Sequence, residues 1–159
     1  MFSENKNVIF ETEIDRFSNR FWKIFKSYLF FYLTTISVLI YFNYQNDSFI
    51  TKTCIVLMFI FMIFRCKSVI KWTKTKIERI IKNEENLEFH LLEKNVKKKI
   101  FIPKNDLLTI LKWVEHRPKV LELTILNNGK EEIKLYSASK IAIEQELEEI
   151  SYKLKKASH

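Results

Sequence analysis

Leu29–Phe42 reads LFFYLTTISVLIYF and Thr53–Phe64 reads TCIVLMFIFMIF, and these two stretches decide the fold. Neither contains a charged residue. They are the centres of two longer greasy runs, Phe25–Phe42 and Phe49–Phe64, separated by the short polar stub Asn43–Ser48. A helix rises about 1.5 Å per residue and needs roughly 20 residues to cross a hydrocarbon core. Trp22–Phe42 reaches that length if Lys23 and Lys26 stretch back to the headgroups, and Asp47–Phe64 nearly does if Lys52 behaves likewise. Trp22 and Tyr28 near one end of the first span, and Tyr41 and Tyr44 at the other, stand where interfacial aromatics are expected. The reading is a two-helix transmembrane hairpin over residues 21–66. The competing interpretation, two buried helices of a soluble bundle, would have to hide both runs inside one small core of a 159-residue chain. A cleaved leader fits worse, because a polar-rich segment precedes the run and no small-residue cleavage site follows it.

The flanking charges orient the hairpin. Arg16, Arg20, Lys23 and Lys26 stand before the first span, and Arg65, Lys67, Lys71, Lys74, Lys76 and Arg79 after the second, while the stub holds Asp47 and no basic residue. An excess of Lys and Arg marks the cytoplasmic side, so both termini are expected in the cytoplasm and the stub outside. Residues 67–83 keep this basic character with Val69, Ile70, Ile77, Ile80 and Ile81 interspersed, and read as a juxtamembrane helix continuing the second span. Much of the net charge of +8 comes from this segment, where Glu78 is the one acid between Arg65 and Lys82. Basic residues beside a membrane gain up to about 1 kcal/mol each from anionic lipid. Lys rather than Arg dominates, which suits diffuse lipid attraction better than bidentate recognition. Nucleic-acid binding, the other use of a basic chain, finds no recognisable motif here and is not expected.

Enzyme classes fall away quickly. Gly129 is the single glycine, so a P-loop, a dinucleotide fingerprint and a glycine-flanked nucleophile elbow are all excluded, as is GxxxG helix packing. Cys54 and Cys66 lack zinc spacing, and His90, His116 and His159 are scattered. No Asp, Glu or His lies within either span to serve a proton or ion path. The chain is expected to be neither an enzyme nor a pump, and to use no cofactor or metal.

Beyond residue 84 the apolar period shortens to that of strands. Leu87, Phe89 and Leu91 alternate with Glu88 and His90; Ile100-Phe101-Ile102 stops at Pro103, which cannot donate to a ladder. Leu107–Val114 is a longer run closed by His116-Arg117-Pro118. Leu121, Leu123 and Ile125, then Ile133 and Leu135, alternate on either side of Asn128-Gly129, a strong hairpin signal. Ile143, Leu147, Ile150 and Leu154 make one stripe of a terminal helix over 140–157, acidic early and basic late as the helix dipole favours. The fold class expected is a membrane α-hairpin plus an α+β domain over 84–159, a small antiparallel sheet or partly open barrel capped by the helix. Residues 1–20 form an N-terminal cytoplasmic segment with a possible strand at 7–14.

This order resembles the pleckstrin-homology-like domains of small bacterial membrane proteins, including the YcxB-like group with two transmembrane helices ahead of the domain. The resemblance rests on Ile100–Leu108, where a strand, a Pro, polar residues and Asp106 lead into another strand, on the Leu121–Tyr136 hairpin, and on the Ser139–Lys156 helix. Val8–Ile14 is similar to the strand those proteins place before the first span. It implies a bacterial inner (cytoplasmic) membrane location. Three functions are consistent with it: an interaction or scaffold module with a protein partner or a second copy, an anionic-lipid sensor, and a ligand-sensing effector or immunity-type protein that oligomerises in the membrane. For lipid contact the candidates are Lys94, Lys97, Lys98 and Lys99, read as a loop between the first two strands of the domain.

Overall fold

The computed structural model of the chain describes residues 8–13, 15–116, 119–137 and 141–158. The edges of the strand expected at 7–14, the Arg117-Pro118 break and Ser139-Lys140 at the head of the terminal helix lie outside them. Residues 18–71 form one compact unit, and the segments before and after it form a second.

The first unit is the helical pair. α1 spans Phe17–Asn46 and α2 spans Phe49–Thr73, both long and apolar enough to cross a membrane. Asp47 takes a left-handed φ of 40° and its N–H returns to the Asn43 carbonyl at 2.8 Å, which closes α1, and its carboxylate meets Lys52 at 2.6 Å. The hydroxyls of Thr34, Thr35, Ser37 and Thr53 each donate to the carbonyl four residues earlier, so these four groups are satisfied within their own helix. Arg65 lies over the Tyr28 ring at 4.9 Å. The most apolar windows are only 17% and 6% buried, so Phe30, Phe31, Phe61 and Phe64 point outward. Helices serving as a soluble core would hide these rings.

The second unit is a β-domain of two antiparallel sheets. β1 (Val8–Glu11), β2 (Thr75–Lys82), β3 (Asn86–Glu93) and β4 (Val96–Pro103) make a four-stranded sheet in that order. A 3-10 turn at Lys104–Asp106 leads to β5 (Leu107–His116), β6 (Lys119–Asn127) and β7 (Lys130–Tyr136), which form a three-stranded sheet. The sheets do not close into a barrel. Asn128 and Gly129, at φ 49° and 77°, form the two-residue turn between β6 and β7, as a type I′ hairpin requires. α3 (Ile141–Ser158) closes the domain.

One core unites the sheets and α3. Ile77 and Ile80 of β2, Leu87 and Phe89 of β3, Ile102 of β4, Leu123 and Ile125 of β6, and Ile150 and Leu154 of α3 are buried together, with Phe10 of β1 joining them. Burying a side chain of this size contributes roughly 1.5–3 kcal/mol. The stripe on α3 is therefore spent on the strands.

The juxtamembrane helix expected at 67–83 is a correction. α2 ends at Thr73, and 75–82 is strand β2. The sheet unit accordingly begins before residue 84 and takes in both β1 and β2. Ile77, Ile80 and Ile81 have helical spacing in the sequence, but β2 carries an irregularity between Ile77 and Arg79 against β3. One extra residue in a strand returns positions three apart to the same face, so Ile77 and Ile80 both face inward.

Candidate functional site

The outer face of the four-stranded sheet carries the charges singled out in the sequence. Because successive side chains of a strand alternate faces, a run of adjacent lysines cannot act as one row. Lys97, Lys98 and Lys99 belong to β4, not to a loop, and Lys94 and Asn95 alone make the β3–β4 turn. Lys97 and Lys99 stand on the outer face, while Lys98 pairs in register with the inward Leu91.

Carboxylates from neighbouring strands meet these lysines. Lys97 Nζ donates to Glu78 of β2 at 3.2 Å, Lys99 Nζ donates to Glu88 of β3 at 3.1 Å, and Lys98 is bonded to Glu93 at the end of β3. His90 Nε2 shares the same Glu88 oxygen at 2.8 Å. Strand register aligns Glu11, Arg79, His90 and Lys99 in one row across all four strands, and Arg79 Nε donates to Glu11 at 2.9 Å. Glu78, Arg79, His90, Lys97 and Lys99 line an open depression of about 440 Å³.

Carboxylates in this setting are held ionised. The hydrogen bond from Lys99 is the main force keeping Glu88 below the usual carboxylate range. Lys74 first and Lys98 second bring Glu93 down to about 2. Exposed pairs of this kind contribute little net stability. Their consequence is a face of alternating sign rather than a positive patch.

The juxtamembrane basic residues divide in the same way. Arg65, Lys67 and Lys71 lie on α2, with Lys67 and Lys71 exposed. Lys74, between α2 and β2, meets Glu93 at 2.6 Å; Lys76 of β2 meets Glu146 of α3 at 3.4 Å; and Arg79 is held by Glu11. Sequence reading had no way to supply these acids, because their partners are up to 70 positions away.

Two features of the second sheet escaped the sequence. β6 is buried on both faces, so Glu122 is 5% exposed on the side away from the core. Burial would raise its carboxyl, yet hydrogen bonds from Tyr136, Thr124 and Lys112 outweigh that and lower it. The arrangement is a satisfied structural network. On β5, Leu108, Ile110 and Val114 alternate along the outward side, at 55%, 41% and 36% exposure, with Trp113 beside the irregularity at 48%. The alternation in Leu107–Leu111 was hidden because apolar residues stand on both faces of the strand.

Among the described residues, no group of three His, Cys, Asp or Glu is placed to hold a metal ion. Comparison with protein-family models, with curated proteins and with solved structures finds no match to this chain.

Proposed function

We propose that the chain is a membrane-anchored, non-enzymatic interaction module, in which two helices hold a small β-domain at the cytoplasmic face of a bacterial inner membrane. The observation that carries this reading is the apolar strip on β5. Leu108, Ile110, Trp113 and Val114 are exposed on a strand that pairs with β6 on one side and forms the edge of its sheet. An edge strand flanked by exposed apolar side chains is the kind of surface that accepts an extended apolar segment from a partner protein or from a second copy. Two antiparallel sheets followed by one closing helix support a pleckstrin-homology-like identity for the domain, as the sequence resemblance implies.

A second reading is favoured by Arg65, Lys67 and Lys71. They lie on the last turns of α2, where the chain leaves its apolar stretch and each basic residue gains up to about 1 kcal/mol from anionic lipid. Lys97, Lys98 and Lys99 of β4 are engaged by Glu78, Glu93 and Glu88.

The interaction reading is tested with a photoreactive residue at Ile110 in native membranes, and another at Lys130 as an exposed control. The expected outcome is a discrete protein adduct from position 110 that is absent from position 130 and lost on Leu108→Asp. Adducts to lipid alone, or equal labelling at both positions, would overturn it.

A further inference from the structure

The β3–β4 turn touches both points where the chain passes between the β-domain and the helices. Phe17, the first residue of α1, donates its backbone N–H to Asn95 Oδ1 at 3.1 Å across 78 positions of sequence. Lys94 donates its N–H at 2.6 Å to the carbonyl of Lys74, the residue that joins α2 to β2. The Lys74 ammonium meets Glu93, the residue just before the turn, at 2.6 Å. Two residues therefore hold the way in and the way out.

The first N–H groups of a helix have no intrahelical acceptor and usually find one on a Ser, Thr, Asp or Asn at the cap. Here Arg16 precedes Phe17, and the Phe17 N–H finds an acceptor on a distant hairpin. Lys94 holds a left-handed φ of 55°, a conformation that non-glycine residues keep only when their surroundings impose it. The incoming segment has further fastenings: Phe10 is buried in the core, Thr12 donates its N–H to the Glu78 carbonyl at 3.0 Å, and Arg79 binds Glu11. β4, the second arm of the hairpin, pairs with β3 alone and carries Lys97 and Lys99 two and four positions beyond Asn95.

We propose that the Lys94-Asn95 turn is a mechanical coupling, through which engagement of the charged β3–β4 face winds or frays the first turn of α1. A ligand or partner that drew Lys97 from Glu78, or Lys99 from Glu88, would shift an edge strand whose turn supplies the α1 cap. This coupling goes beyond the interaction reading and does not require the β5 strip.

Hydrogen exchange of the full-length protein in lipid nanodiscs tests it, read at the amides of Phe17, of residues 20–23 (the first that bond within α1) and of β6. Asn95→Ala should speed exchange at Phe17 and 20–23 by about five- to tenfold, the effect of a lost cap, with β6 unchanged. Asn95→Asp, which keeps the acceptor, should restore protection. Lys97→Glu with Lys99→Glu should speed exchange at these amides when Asn95 is present and add nothing in the Asn95→Ala background, since one pathway cannot be broken twice. Unchanged exchange at Phe17 and 20–23 in Asn95→Ala would overturn the proposal. So would equal loss of protection in β6, failure of Asn95→Asp to rescue, or charge-reversal effects that simply add.

Discussion

Glu93 shows what a single residue of this protein does that its neighbours in sequence do not reveal. It receives Lys74 from the α2–β2 junction and Lys98 from β4, and its carboxyl falls from the ordinary 4.5 to about 2. A carboxylate depressed on folding stabilises the native state in full above its unfolded value, and that contribution is lost as pH falls through the folded one. The difference in melting temperature between the wild type and Glu93→Gln should therefore be present above about pH 4.5 and vanish by about pH 2. Thermal unfolding across that range checks it, and a gap that stays constant with pH would contradict it. The gap should be small, because both lysines are about half exposed and solvent screens them. The same contrast explains what was legible at this scale. The lysines stood out as a run in the sequence, but strand pleat divides them between faces, and the acids that neutralise them come from other strands. Only register reveals that, and no linear pattern encodes register between β2 and β4.

At the scale of elements, legibility followed the regularity of the pattern. β3, β6, β7 and α3 each repeat apolar residues at the period of their own geometry, and their cores, Phe89, Leu123, Ile133 and Leu154, sit where the alternation puts them. β2 broke the rule through its irregularity, which lets Ile77 and Ile80 imitate a helical stripe while pairing with Leu91 and Phe89. β5 concealed its exposed strip because Leu107 and Leu111 face the core while Leu108 and Ile110 do not. The β6–β7 hairpin was the most secure element because its turn has a backbone demand that few residues meet. Gly129 has φ 77°, and a Cβ built there meets no atom within 4 Å. The cost of Gly129→Ala is thus backbone strain without a clash, roughly 1–2 kcal/mol. In a domain of this size that should lower the melting temperature by about 4–8 °C for each kcal/mol, with Gly129→Asn losing less. Unfolding curves of the two variants check the order. An alanine variant as stable as the wild type would mean that the turn tolerates other geometry.

For the whole molecule, β1 and β2 decide more than either apolar run does. β1 precedes α1, β2 follows α2, and the two pair directly through Val8 with Ile81, Phe10 with Ile80 and Glu11 with Arg79. A strand before the hairpin and a strand after it cannot share one sheet from opposite sides of a bilayer. If the helices cross a membrane, then, they cross it an even number of times, and the start of α1 and the end of α2 lie on one side. Pairing is silent on which side that is. The choice falls to charge: Arg16, Arg20, Lys23 and Lys26 before α1's apolar stretch, with Arg65, Lys67 and Lys71 after that of α2, face Asp47 and Lys52 at the other end. Lys52 is already matched by Asp47, which leaves the tip with no net positive charge to retain it in the cytoplasm. A phosphatase that folds only outside the cytoplasm should therefore be active when inserted at Asn46 and inactive when fused after His159. Activity at both positions, or at neither, would show that the pair does not cross. The inverted pattern would keep the even crossing that the sheet demands and overturn the orientation that the charges assign.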